Sequence, residues 1–109
     1  MSFEIIAIDE FQKELKKLLK KYPSLKEEIF QLGNSLMENP KQGKPIGKDC
    51  YKIRLQIKSK GKGKSSGGRI ITHVFFSGQT VFLLTIYDKS EKENISEVRI
   101  NELLKKLKI

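Results

Sequence analysis

The chain has 109 residues, 38% of them hydrophobic, and 22 Lys and Arg against 13 Asp and Glu give a net charge of +9. That length and apolar share suit one ordinary domain with its own core and exclude a disordered chain, while a lone cysteine, Cys50, excludes an internal disulfide and any cluster of cysteine ligands. No apolar run approaches bilayer length, and the N-terminus lacks the basic region and long apolar stretch of a secretory leader, so the expected setting is cytoplasmic, with no membrane partner.

Residues 3–8, FEIIAI, read as a short strand. Asp9 then stands as a helix N-cap, with Gln12 three positions on as the return half of a capping box. Phe11, Leu15, Leu18, Leu19 and Tyr22 follow at helical spacing, and lysines fill the outer face. Pro23 ends that helix. Ser24 caps a second one, with Glu27 as its partner, and Leu25, Ile29, Leu32, Leu36 and Met37 carry the apolar stripe to Asn39 and Pro40. A helical hairpin spanning about 9–39 results. Residues 41–49, KQGKPIGKD, are loop by composition.

From Cys50 the period becomes two: Ile53, Leu55 and Ile57 alternate with Lys52, Arg54, Gln56 and Lys58, giving one apolar and one basic face. A second strand runs through RIITHVFF from Gly68, residues 77–79 turn the chain, and TVFLLTIY forms a third strand ending at Tyr87. Ser96 caps a last helix with Val98, Ile100, Leu103, Leu104 and Leu107 on its apolar face. The expected architecture is α+β: one domain over 1–109, in the order β-α-α-β-β-β-α, with an antiparallel-rich twisted sheet, the hairpin packed on one face and a C-terminal helix.

The excess charge is concentrated. Ten of the basic residues and only one acid, Asp49, fall within residues 41–69, leaving twelve of each sign elsewhere. Such a focus fits a polyanionic partner. At its centre the loop 58–68 carries Lys58, Lys60, Lys62 and Lys64 among glycines and serines, which bring backbone N–H groups and cations close to phosphate. It is not a nucleotide-binding P-loop: the first glycine of that motif would fall on Lys58, and a strand rather than a helix follows.

Lys52 and Arg54, two apart, share a face at roughly 6.8 Å along the strand. Arg69 opens the adjoining strand, and Tyr87 and Lys89 mark the end of the third. Carboxylates do not gather there, so no metal or other cofactor is expected, and a single histidine excludes a two-histidine ribonuclease. Metal-free RNA cleavage needs a base for the 2′ proton, cations for the phosphorane charge and an acid for the 5′ oxygen. Lysine serves as a base where neighbouring cations and desolvation lower its pKa, and an arginine fork matches phosphate oxygens. The same residues also fit the solvated face of an edge strand. His73 and Cys50 read as packed residues rather than catalysts.

Three segments, DCYKIRL at 49–55, GGRIITHVFF at 67–76 and LLTIYDKSE at 83–91, resemble the RelE/ParE superfamily of bacterial toxins, and the loop taken with the last segment resembles its HigB-type branch. The resemblance implies a compact sheet with the hairpin on one face and a basic site on the other. It implies a toxin of a type II toxin–antitoxin system, an endoribonuclease (mRNA interferase) acting on mRNA in the ribosome. Lys52, Arg54 and Arg69 fall on the family's basic site positions, and Lys89 falls where a further arginine is usual. The family's catalytic tyrosine belongs to a segment matched here by residues 90–95, which contain none; Tyr87 is the candidate substitute. Implied partners are a cognate antitoxin, mRNA and the ribosome, in a toxin–antitoxin hetero-oligomer that binds operator DNA through the antitoxin. A ParE-like gyrase inhibitor without nuclease activity and a non-catalytic RNA-binding module are the competing readings.

Overall fold

The computed structural model describes residues 2–61, 67–92 and 94–109. The elements in chain order are β1 (Glu4–Ala7), α1 (Asp9–Lys21), α2 (Leu25–Glu38), β2 (Lys44–Gly47), β3 (Cys50–Leu55), a 3₁₀ turn (Lys58–Lys60), β4 (Gly68–Phe75), β5 (Thr80–Asp88) and α3 (Glu97–Leu104). The five strands form one sheet in the order β1-β5-β4-β3-β2. β1 lies parallel to β5, and the other neighbours are antiparallel. No described helix is long and apolar enough to cross a membrane.

The α+β class, the hairpin and the three central strands stand as the sequence pattern predicts. One strand was missing from that pattern. Lys44–Gly47 reads as loop because Pro45 and Gly47 interrupt it, yet it pairs with β3 at the sheet edge, where a missing N–H is tolerated. The order is therefore β-α-α-β-β-β-β-α.

Two caps also differ from expectation. Asp9 is the first residue of α1 rather than its cap; Ile8 holds that position, and Gln12 reaches back to the Ala7 carbonyl at 2.8 Å. Ser24 precedes α2 in a helical conformation that does not aim its hydroxyl at the first turn. That hydroxyl accepts from the Ser59 N–H at 2.9 Å and meets Glu28, not Glu27, at 3.2 Å. Ser96 does cap α3, accepting from the Arg99 N–H at 3.1 Å.

Period-two alternation divides the sheet between two cores. Ile53, Leu55, Ile70, Val74 and Leu83 meet Phe11, Leu18, Leu25 and Leu36 of the hairpin. On the opposite face Cys50, Ile71, Phe82 and Leu84 meet Ile100 and Leu103 of α3. The hairpin thus covers one face, and the short α3 leaves room on the other.

Candidate nucleic-acid interface

Strand register assembles the site on the face away from the hairpin. Lys52 and Arg54 lie on that face of β3. Arg54 stands directly opposite Arg69 of β4, and Arg69 directly opposite Tyr87 of β5. One row therefore crosses three strands as Arg54–Arg69–Tyr87. Lys52 in turn stands opposite Lys44 of β2, a cation that the loop reading of 41–49 had hidden. Side chains directly opposite each other lie about 4.5–5.5 Å apart at Cβ, and like charges so placed are destabilising. Here two such pairs, Lys44 with Lys52 and Arg54 with Arg69, adjoin.

Arg69 is nearly enclosed, 3% exposed, and its guanidinium donates to the Gly68 carbonyl at 2.9 Å. Burial, reinforced by the Arg54 charge, pulls its pKa down from the usual arginine value. Tyr87 is 6% exposed. Burial pushes its phenol up, with Arg69 pulling the other way. The hydroxyl finds no hydrogen-bond partner among the described residues, and the Lys92 ammonium lies 5.2 Å from the ring centre. Tyr87 is thus a protonated donor against the cation row rather than a solvent-exposed acid.

A β-bulge decides that Tyr87 faces this way. Ile71 pairs with Thr85 but Thr72 pairs with Leu83, so Leu84 is the extra residue. Before the bulge, Phe82 and Leu84 face α3; after it the alternation is reversed, and Ile86 joins the hairpin core while Tyr87 faces the site. The bulge begins where β1 runs out, since β1 covers only Thr80 to Leu83. Glu14 of α1 takes over from the absent strand, accepting from the Thr85 hydroxyl at 2.6 Å and the Ile86 N–H at 3.3 Å.

The lysines of the basic loop are not equivalent. Lys58 is exposed, and its backbone N–H donates to Glu28 at 2.7 Å. Lys60, counted among the loop's cations, turns inward: its ammonium sits 2.5 Å from Asp88, with the two side chains 8% and 0% exposed. Asp88 also accepts from Tyr22 at 2.7 Å and from the Ser90 N–H and hydroxyl at 3.0 and 2.8 Å. Burial alone would raise this carboxyl; the donors from Lys60, Tyr22 and Ser90 outweigh it and hold the pKa well below the ordinary carboxylate range. Lys62 and Lys64 lie outside the described residues. At the loop's far end Gly67 has to be glycine, because a Cβ there would sit 2.2 Å from the Leu55 carbonyl oxygen. Lys89, half-buried, follows β5 directly, and its N–H closes on the Gly67 carbonyl at 3.0 Å.

Cys50 and His73 stay out of the row. Burial, with Asp49 adding to it, pushes the Cys50 thiol up to about 11, and His73 stacks on Phe82 at 6.5 Å.

No protein-family model matches the sequence. Solved structures do match the fold. An arginine double mutant of the E. coli toxin RelE in the free state superposes with a TM-score of 0.64 at 23% identity, covering 98% of this chain and 99% of that one. The chain has the RelE fold. The same mutant bound to a peptide of the antitoxin RelB gives 0.61 at 21% identity, covering 98% and 99%. RelE in the intact E. coli RelBE toxin–antitoxin complex gives 0.58 at 22% identity, covering 80% and 96%. Within this RelE fold the cation row occupies the sheet face that the hairpin leaves open.

Sequence reasoning missed Lys44, Glu14 and Asp88 as parts of the assembly. Alternation from Lys44 to Ile46 was a faint signal for the first. Glu14 looked like any polar residue on the outer face of α1, and nothing local marks Asp88 as a buried counter-charge.

Proposed function

We propose that this protein is the toxin of a type II toxin–antitoxin pair and that it cleaves mRNA on the ribosome. The observation that carries the reading is the double like-charge pairing of Lys44 with Lys52 and Arg54 with Arg69. Such an arrangement gathers four cations on one sheet face, where a phosphate chain can lie across them. The RelE fold agrees with that reading.

In this mechanism the 2′-oxygen attacks the adjacent phosphorus, the P–O5′ bond breaks, and a 2′,3′-cyclic phosphate and a 5′-hydroxyl result. Lys52, deprotonated for this step, takes the 2′ proton and returns to the ammonium. Arg54 and Arg69 hold the non-bridging oxygens as charge builds on them. The unpartnered Tyr87 hydroxyl donates toward the departing 5′ oxygen, and Lys89 adds positive potential at the strand end. Lys58, Lys62 and Lys64 grip the ribosomal or message backbone, while Lys60 fixes the base of their loop. The partners are a cognate antitoxin with an acidic binding segment, mRNA and the ribosome, in the cytoplasm; the toxin–antitoxin complex binds operator DNA through the antitoxin.

Primer extension on a defined message, with and without translating ribosomes, tests this. Codon-registered cuts that require ribosomes are expected. Absence of cuts from folded, toxic protein would overturn the reading and direct attention to gyrase, through a supercoiling assay. Harmless, folded protein with salt-dependent RNA affinity would instead identify a binding module.

A further inference from the structure

Lys52 is a ridge between two hollows of different chemistry. On its β2 side, Gln42, Lys44 and Arg54 line an opening of about 400 Å³ whose side chains are polar or cationic around the edge of Ile53. On its α3 side lies a pocket of about 330 Å³ lined by Ile46, Lys48, Lys52, Asn94, Ile95 and Ile100. Its size falls at the lower end of the range of small-molecule sites, roughly 300–1,000 Å³. The three isoleucines come from β2, from the segment before α3 and from α3 itself. They give the pocket an apolar floor beneath a polar rim.

The rim is set by hydrogen bonding. The Lys52 ammonium donates to the Asn94 Oδ1 at 3.3 Å. An ammonium has only donors, so the amide must turn its oxygen to Lys52. Its NH₂ group remains as the donor for anything entering the pocket. Lys48, on the opposite rim, is bonded to Asn101 and lies 3.8 Å from Glu97, so the one acid lining the pocket has a counter-charge.

We propose that this pocket is a nucleobase subsite, which rests on the RNA-cleavage reading above. A nucleotide straddling Lys52 places its phosphate against Arg54 and Lys44 and its base over Ile46, Ile95 and Ile100. The Asn94 NH₂ then reads the base edge. The Asn94 NH₂ presents a donor to the base, so a keto edge, as on guanine or uracil, is accepted. An amino edge, as on adenine or cytosine, sets donor against donor. Asn94 is thus a specificity-determining residue beside a cleaving group.

The test is to map the 5′ ends of cleaved messages in a translating extract for the wild type, Asn94→Ala and Asn94→Asp, with folding checked by thermal melting. The wild type should favour guanine or uracil at one position beside the cut. Asn94→Ala should reduce that preference about 2- to 10-fold, the worth of one hydrogen bond. Asn94→Asp, an acceptor in place of the donor, should turn it toward adenine or cytosine, whatever the overall rate. Unchanged preference in both variants overturns the subsite while leaving cleavage intact. If the wild type makes no cuts, the cleavage reading falls, and the pocket is judged by NMR titration with GMP against AMP. Shifts of the Asn94 side-chain amide and the Ile95 and Ile100 methyls that saturate at lower GMP than AMP sustain it; no shifts, or equal ones, overturn it.

Discussion

Lys60 and Arg69 border the same glycine-rich loop, yet their surroundings oppose one another. Lys60 is met by a buried carboxylate, and its charge is neutralised inside the fold. Arg69 is met by another arginine across the strand pair. The first arrangement ties three elements together: the loop, the end of β5 and, through Tyr22, the end of α1. The second gathers cations on the sheet face that β5 completes with Tyr87. Counting basic residues would treat the two alike. The bulge in β5 separates them, placing Asp88 on the hairpin side beside Lys60 and Tyr87 on the side of Arg69.

The sharpest way to break the contrast is to substitute each side and read both activity and stability. Arg69→Ala should lower the cleavage rate by about 10²–10³-fold, the usual loss on removing a group that stabilises transition-state charge; primer extension at matched folded concentration reads it. A rate within a few-fold of wild type would place the reacting phosphate elsewhere. Lys60→Ala should do the reverse. It leaves a buried carboxylate without its cation and should cost about 3–5 kcal/mol in urea unfolding, with the activity of the molecules that remain folded largely kept.

Acid sharpens the same comparison. The folded Asp88 carboxyl is held below its unfolded value, so its contribution is fully present above the ordinary aspartate pKa of about 3.9 and is lost as pH falls from there toward the lower folded value. The stability gap between wild type and Asp88→Asn should therefore be constant near neutrality and shrink below about pH 4. A gap that instead widens on acidification would contradict the depressed carboxyl. Glu14→Ala should cost about 1–3 kcal/mol by stranding the Ile86 N–H and the Thr85 hydroxyl, whereas Glu14→Gln retains an acceptor and most of the stability. At the small end, the Cys50 thiol, raised to about 11 by burial, should resist iodoacetamide at pH 8 until the chain unfolds, and Cys50→Ala should leave cleavage unchanged.

Legibility of this molecule from its sequence follows the range of the interactions involved. The hairpin and β3, β4 and β5 were readable because apolar spacing of 3.6 or 2 is a local property, as with Leu15 to Tyr22 and Ile53 to Ile57. β2 was not, since Pro45 and Gly47 argue for loop and only pairing with β3 overrides them. Lys52, Arg54 and Arg69 could be named because alternation and order along the chain place them near one face. Their direct opposition required register, which sequence does not carry. The roles of Glu14 and Asp88 depend on partners 71 and 28 positions away. The Ser24 hydroxyl, read as a cap, was taken by Ser59 of the loop, a competition between two local-looking choices that only tertiary contact resolves.

The parallel pairing of β1 with β5 carries a consequence in time. Glu4 to Ala7 emerge well ahead of Thr80 to Leu83 during synthesis and must wait for them before they gain their sheet partner. Closing so long a loop is slow compared with forming the helical hairpin. The row from Arg54 to Tyr87 is completed by the same late strand. A nascent chain therefore holds its hairpin early, and its cation row is complete only once β5 has been made.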